Sequence, residues 1–308
     1  MLQKPWIRWG SLGLALAWVL VAGPSVFAAP KPKQAVDWAV LNAGFKGATF
    51  VNNNETCLSC HAEASHAYAA TVHGVAFSAR PPAGTGECES CHGPRSKHVE
   101  NPTKELAIDP ASKAQSAICL QCHEGGTRFG WKAGVHATND VSCTSCHTVM
   151  SKQSERALLK KPTQNETCAT CHAEISAEFN KMSHHPVKEG RMDCAGCHNV
   201  HGSHQALLTK PTQNDTCFTC HAEKRGPFIW EHAPVRESCA NCHTPHGSNQ
   251  RTLLTSKDPF LCLSCHNYGG HINLPRYNRT SNPYGNGCSN CHVTMHGSNH
   301  PSGAKLTR

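Results

Sequence analysis

The chain has 308 residues, with 20 Cys and 23 His but only 6% aromatic and 38% hydrophobic residues, and with 24 Gly and 19 Pro. Such a composition excludes an ordinary buried apolar core, and without a bound group to organise it the chain would stay largely disordered. The formal charge of +8 is mild and draws no basic stripe with interleaved aromatics, which argues against a nucleic-acid partner.

Taken from the N-terminus, Lys4 and Arg8 precede an apolar stretch from Leu12 to Ala22, and Val26-Phe27-Ala28 offers small residues for cleavage. Residues 1–28 therefore read as a secretory signal peptide, with Ala28 or Ala29 the last residue removed. The stretch is shorter than the ~20 residues a membrane span needs, and Gly23-Pro24 breaks it. No later segment is apolar enough to form a transmembrane helix in the mature chain. An N-terminal segment, 29–56, follows, with a short helix predicted over 35–41. A second short helix is predicted over 174–181. Elsewhere Pro81-Pro82, Pro162, Pro211 and Pro275 interrupt any long periodicity.

All 20 Cys fall into ten Cys-x-x-Cys-His motifs. In order they are Cys57/Cys60/His61, Cys88/Cys91/His92, Cys119/Cys122/His123, Cys143/Cys146/His147 and Cys168/Cys171/His172. Then come Cys194/Cys197/His198, Cys217/Cys220/His221, Cys239/Cys242/His243, Cys262/Cys265/His266 and Cys288/Cys291/His292. This spacing is the attachment signature of c-type haem. Two thiols one turn apart form thioethers to the two vinyl groups of one porphyrin, and the next residue, His, lies under the iron as its proximal ligand. Zinc ribbons and disulfide frameworks also use paired Cys, but neither needs a His after every second one. The implied cofactors are ten covalently bound haem c groups. Haem is attached to such motifs outside the bacterial cytoplasm, so motif and signal peptide agree on the periplasm. Removing Lys4 and Arg8 leaves +6. Ferric bis-His haem carries roughly −1, so ten of them make the holoprotein mildly acidic.

The chain repeats itself. Lys161-Pro-Thr-Gln-Asn-Glu-Thr-Cys168 matches Lys210-Pro-Thr-Gln-Asn-Asp-Thr-Cys217, and Asn53-Asn-Glu-Thr-Cys57 echoes both. His201-Gly-Ser and His246-Gly-Ser are each followed by a Leu-Leu pair and the next motif. The decahaem domain, 57–300, divides into five dihaem units, about 57–118, 119–167, 168–216, 217–261 and 262–300, before a polar tail, 301–308. Units that contact mainly their neighbours make a linear array. The expected fold is a multihaem cytochrome c: loops and short α-helices wrapped around a linear array of ten haems, with little or no β-sheet.

Thirteen His lie outside the motifs. Two positions of the dihaem unit hold most of them. One lies between the two motifs: His73, His136, His184, His232 and His271. The other follows the second motif: His98, His201, His246 and His296. These are the candidate distal ligands. After His147 the aligned residue is Met150, so either His185 supplies the tenth imidazole or Met150 binds as a thioether and raises that haem's potential. His66, His204 and His300 are surplus. If every iron has two protein ligands, none is open to substrate, which favours an electron carrier over an enzyme and leaves no catalytic residue to name.

The ten motifs, with His184-His-Pro-Val-Lys-Glu-Gly-Arg-Met-Asp-Cys194 and Cys239-Ala-Asn-Cys-His-Thr-Pro-His-Gly-Ser248, resemble the MtrA/DmsE-type periplasmic decahaem c-type cytochromes. The resemblance runs from about Asp37 to His296. It implies an elongated chain of bis-His haems docked to an outer-membrane β-barrel porin. Such a chain passes electrons between periplasmic or inner-membrane cytochromes and an extracellular donor or acceptor, in Fe(III) reduction or Fe(II) oxidation. An outer-surface multihaem cytochrome is a further implied partner. A soluble periplasmic shuttle and a multihaem reductase are the competing functions. Met150 leaves the fourth haem's distal ligand open. The segment from Asp37 to Leu41 and the tail from Gly297 are either partner contacts or plain surface.

Overall fold

The repeated segments before alternate motifs build their own helix starts. In the computed structural model, Thr163 caps helix Gln164–Ala169: its Oγ1 accepts from the Glu166 amide at 3.2 Å, and Glu166 Oε2 accepts from the Thr163 amide at 3.0 Å. Thr212 does the same for helix Gln213–Phe218, accepting from the Asp215 amide at 3.0 Å. Asn53 caps helix Asn54–Ala69 through the Glu55 amide, also at 3.0 Å. A cap of this kind stabilises a helix by about 1 kcal/mol, which matters for helices of one to two turns. Helix Asn54–Ala69 is the longest, and it breaks at His61, whose φ of −115° and ψ of 34° are not helical.

The structure describes residues 36–79, 86–102, 113–202, 204–266, 287–301 and 303–307. The predicted signal peptide, Pro81-Pro82, His271 and Pro275 lie outside them. Among the described residues the architecture is loops, short α-helices and 3-10 turns. The sheet is a single antiparallel pair, Ser183–His184 with Gly247–Ser248, in the register Ser183↔Ser248 and His184↔Gly247. The helix predicted over 35–41 is present as Trp38–Leu41, and that over 174–181 as Ala173–Glu178. No described helix is long and apolar enough to cross a membrane.

The apolar core is as thin as the composition requires. Phe45, Ile118, Trp131, Ala137 and Leu158 are the buried hydrophobic side chains among the described residues. Polar side chains do much of the joining instead. A side chain shortly before the first motif of each unit accepts a hydrogen bond from the amide of the first Cys of the second motif. Asn54 Oδ1 takes Cys88 N at 3.3 Å, Ser116 Oγ takes Cys143 N at 3.3 Å, and Asn165 Oδ1 takes Cys194 N at 3.1 Å. Asn214 Oδ1 takes Cys239 N at 2.8 Å, and Asp258 Oδ1 takes Cys288 N at 2.8 Å. Three related segments with an Asn latch, and two unrelated ones with Ser116 and Asp258, thus close five motif pairs in the same way.

The segment at Asp37–Leu41 is not plain surface. Trp38 lies edge-on to Phe45 and Phe50, and a Cβ at Gly93 would sit 2.6 Å from its ring. Gly93 has a φ of +78°, so glycine there meets both the backbone conformation and the indole. The N-terminal segment is thereby packed against the residue that follows the second motif.

Candidate haem centres

Motif pairing sets the cysteines in alternation. Within units the first Cys residues lie near one another, Cys57 beside Cys88, Cys119 beside Cys143, Cys168 beside Cys194, Cys217 beside Cys239 and Cys262 beside Cys288. Between units the second Cys residues approach: Cys91 with Cys122, Cys146 with Cys171, Cys197 with Cys220 and Cys242 with Cys265. Successive motifs are therefore neighbours along the series. Cys60 and Cys291 differ from the other motif cysteines. They are the second cysteines of the first and tenth motifs, at the two ends of the series, and both are exposed. Cys60 Sγ lies 3.8 Å from the Ser59 hydroxyl, and the Cys291 amide donates to the Cys288 carbonyl at 3.2 Å. The expectation of a thioether at Cys60 and at Cys291 thus rests on motif spacing alone, without the support of a facing motif cysteine. Asp258, Cys262 and Cys288 crowd together closely enough to suggest a metal site, but both thiols belong to haem motifs and Asp258 is the latch of its unit.

Eight motif His face a second imidazole. Ring centroids are 6.2 Å apart for His61 and His98, 5.8 Å for His123 and His73, 6.1 Å for His147 and His201, and 6.1 Å for His172 and His136. They are 6.1 Å apart for His198 and His246, 6.3 Å for His221 and His185, 6.1 Å for His243 and His296, and 6.1 Å for His266 and His232. Stacked rings in direct contact would sit much closer. Two metal–nitrogen bonds of about 2.0–2.1 Å and two ring radii of about 1.1 Å give about 6.3 Å across a shared metal. The Nε2 atoms of His73 and His123 point at each other across 3.5 Å. The spacing fits one iron between each pair of rings.

A cavity of about 240 Å³ opens beside His232 and His296. Phe218 and Phe228 supply flat apolar walls that suit one face of a planar ring, and the charged lining is mixed, with Lys224, Arg225 and Arg236 beside Asp215 and Glu231.

The pairing follows a register that the sequence does not announce. A His between the motifs of one unit faces the first motif of the next unit, as His73 faces His123, His136 faces His172, and His232 faces His266. A His after the second motif faces the second motif of the preceding unit, as His201 faces His147, His246 faces His198, and His296 faces His243. His98, in the first unit, turns instead to His61 of its own unit.

Two expectations change as a result. His184 aligns with His232 in sequence, but the structure gives its place to His185, which faces His221. His184 is turned away: its Nδ1 donates to the Lys181 carbonyl at 2.7 Å and its Nε2 lies 3.0 Å from Glu189 Oε1. The Glu189 hydrogen bond raises the His184 pKa, since it favours the protonated ring. Nor does His185 stand in for Met150, because His147 already faces His201. By the same register, the slot that Met150 occupies corresponds to His92, and none of the predicted distal His among the described residues is paired with that ring. His292 donates from Nδ1 to the Lys305 carbonyl at 2.7 Å.

The Leu-Leu pairs have a job that sequence inspection missed. After His147, His198 and His243 the chain turns through two successive left-handed residues, Ala157-Leu158, Ala206-Leu207 and Thr252-Leu253, with φ between 50° and 62°. Such a conformation costs roughly 1–2 kcal/mol per non-glycine residue. The turn aims a carbonyl at the motif imidazole: His147 Nδ1 to Ala157 O at 2.7 Å, His198 Nδ1 to Ala206 O at 3.0 Å, His243 Nδ1 to Thr252 O at 2.8 Å. A carbonyl can only accept, so Nδ1 holds the proton and Nε2 keeps its lone pair for a metal. Bridges from His147 to Leu159, His198 to Leu208 and His243 to Leu254 lock each turn against its motif. The Lys305-Leu306 turn repeats the device at His292.

Thioether-forming motifs, imidazoles set at iron-spanning distance and a core too thin to stand alone define a multihaem c-type cytochrome, an electron-transfer protein that binds haem c covalently. The doubled CXXCH motif family matches residues 184–226 and 232–271, the cytochrome c-type protein NrfB-like family matches 88–162, and the cytochrome c554 and c-prime family matches 31–93. The multiheme cytochrome MtrA of Shewanella baltica is 39% identical over 271 residues, covering 82% of this chain and 81% of that protein. The cytochrome c-type protein NapC of Haemophilus influenzae is 25% identical over 160 residues, covering 48% of this chain and 77% of that protein. The chain belongs to the MtrA family of multihaem c-type cytochromes.

Proposed function

We propose that this chain is a ten-haem electron conduit held at the outer membrane by a β-barrel porin. It would pass electrons between periplasmic or inner-membrane cytochromes and an extracellular donor or acceptor, with iron as the natural redox partner, and an outer-surface cytochrome as a further contact. The observation that carries this reading is the set of eight imidazole pairs at 5.8 to 6.3 Å, each spaced so that its two rings would hold one haem iron. Haem iron, cycling between Fe(III) and Fe(II), supplies the one-electron chemistry when bound. The chain's residues would hold eight of the irons between two rings, fix the proton on Nδ1 of His147, His198, His243 and His292, and set successive motifs near one another.

In this reading the motif His are the proximal ligands, and both cysteines of every motif, Cys60 and Cys291 included, carry thioethers. His73, His98, His136, His185, His201, His232, His246 and His296 are distal ligands, and His271 serves the last unit. His184 is not a ligand. Residues 1–28 are the secretion signal, and the five units 57–118, 119–167, 168–216, 217–261 and 262–300 each contribute two sites. Similarity to a multiheme cytochrome MtrA over most of both chains supports the conduit.

The test is fractionation of cells producing the full chain, followed by haem staining and a haem-to-protein ratio. Ten haems per chain, co-purifying with a β-barrel in outer-membrane fractions, is the expected result. Recovery wholly in the periplasmic fraction without a barrel would replace the conduit with a shuttle. Stoichiometric carbon monoxide binding to the reduced haems would replace both with a reductase.

A further inference from the structure

The imidazoles that face the motif His differ in what holds their outer nitrogen. Nδ1 of His73, His98 and His232 is buried without a hydrogen-bond partner. Nδ1 of His136 meets the Val200 carbonyl at 3.1 Å, and that of His185 meets the Pro245 carbonyl at 2.6 Å. His246 differs from all of these: its Nδ1 lies 3.5 Å from the carboxylate oxygen Oε2 of Glu178.

Glu178 is held in place from several sides. It is the last residue of helix Ala173–Glu178, and its other carboxylate oxygen pairs with Lys181 Nζ at 3.0 Å. Gly247, next to His246, has no room for a side chain, because a Cβ there would collide with the Glu178 carbonyl. Phe179 stacks edge-on against the His246 ring with centroids 5.7 Å apart. The helix end, the glycine and the phenylalanine together fix both the carboxylate and the imidazole it faces.

A carboxylate behind a metal-bound imidazole pulls on the Nδ1 proton and makes the ring a stronger donor. A stronger donor stabilises Fe(III) over Fe(II), and so lowers the reduction potential. The sixth motif carries this effect on both sides, since His198 also donates to the Ala206 carbonyl at 3.0 Å. Among the described residues, a motif imidazole also has a carboxylate nearby. His221 Nδ1 lies 4.0 Å from Glu223, but those side chains are 56% and 61% exposed, against 29% and 33% for His246 and Glu178. The longer distance and greater solvent screening make the Glu223 effect the weaker.

We propose that Glu178 is a positioning residue that tunes the site of His198 and His246 to the lowest reduction potential in the chain. An electron crossing the array would then meet its highest step at the sixth site, between stretches in which distal rings such as His73 and His232 have no such partner. This rests on the reading of His198 and His246 as the two ligands of one iron.

The test is a potentiometric titration of the full-length holoprotein, followed optically and by low-temperature EPR. Glu178→Gln keeps the side chain's shape and removes its charge. It should move one component, the lowest-lying, upward, while every haem stays low-spin. Lys181→Met removes the cation that competes for the carboxylate, and should move the same component downward. An unmoved lowest component in Glu178→Gln, or shifts of the same sign in both variants, would overturn the proposal while leaving the paired-imidazole reading intact. His246→Ala tests that reading separately: it should leave one haem high-spin, and an unchanged EPR spectrum would remove the basis for both.

Discussion

Asn214 offers the most direct test of how polar side chains replace a core in this chain. Its Oδ1 accepts from Cys239 N at 2.8 Å, and its Nδ2 donates to the carbonyls of Val235 and Arg236, each at 3.1 Å. One side chain thus ties helix Gln213–Phe218 to helix Ala233–Glu237 and to the eighth motif. In Asn214→Ala all three bonds are lost. At a net worth of about 0.5–1.5 kcal/mol each, and with solvent able to reach part of the site, the loss should be about 2 kcal/mol. That corresponds to roughly a 30-fold increase in local opening. Hydrogen–deuterium exchange of the holoprotein, read by mass spectrometry over residues 233–243, measures it directly. Asn214→Asp divides the effect: it keeps the acceptor for Cys239 and loses both donors, so the Cys239 amide should stay protected while 233–237 loosens. An exchange rate within about threefold of the parent chain in Asn214→Ala, under ~0.7 kcal/mol, would refute the view that the latch joins the two motifs.

Three further outcomes follow from the same geometry. His185→Ala should leave one haem high-spin by EPR and His184→Ala none, because His185 faces His221 while His184 faces Glu189; Met150→Ala should leave the site of His147 and His201 low-spin. The ferric EPR spectrum should contain two classes of low-spin signal. Ring planes meet at 12° to 28° in five pairs and at 53° to 90° in three, and steeply crossed imidazoles leave the iron d orbitals nearly degenerate; a spectrum of one class would contradict those angles. Acid should loosen the last unit first. Partial burial pushes the Asp258 carboxyl up, but the Ser289 hydroxyl and the amides of Ser289 and Cys288 outweigh it and hold the acid below its usual range. A depressed acid contributes stability above its unfolded pKa of about 3.9, and that contribution is lost as pH falls through the folded value. Exchange at Cys288 should therefore rise below about pH 4 relative to that at Cys194, whose latch Asn165 carries no charge.

The motifs were fully legible because thioether attachment fixes a local spacing that any reader of the chain can count. The loop-rich fold followed from composition: five buried apolar side chains cannot organise the described residues without a bound group. The distal ligands were legible as a set of positions but not as partners. His184 and His185 are adjacent, and sequence alignment alone could not choose between them. The choice depends on the strand pairing of Ser183–His184 with Gly247–Ser248 and on the hydrogen bond from His185 Nδ1 to the Pro245 carbonyl, a contact 60 residues away in sequence. The Leu-Leu pairs were visible as repeats without a purpose. Their role depends on left-handed backbone at residues such as Leu158 and Leu207, which side-chain identity does not advertise.

The register of the imidazole pairs also changes what a repeat means in this chain. An ordinary solenoid repeat completes its own fold and adds an interface to its neighbours. Here the units at 119–167, 168–216 and 217–261 do not pair their own imidazoles. Each receives rings from both neighbours; 168–216 and 217–261 also lend rings to both, as His201 is lent to His147 and His185 to His221, whereas 119–167, with Met150 in the backward slot, lends only His136, to His172. Cutting the chain at any junction after 119–167 would strand a motif imidazole on each side of the cut, as His147 and His172 are stranded by a cut between 119–167 and 168–216. The same arrangement serves conduction. Rings lent between units, together with cysteines that neighbour one another alternately within and between units, fix the separation of successive sites without relying on loop stiffness. Electron transfer falls steeply with distance, so a chain with almost no apolar core secures its spacing by making seven of its eight imidazole pairs the joint property of two units, the pair of His61 and His98 being the exception.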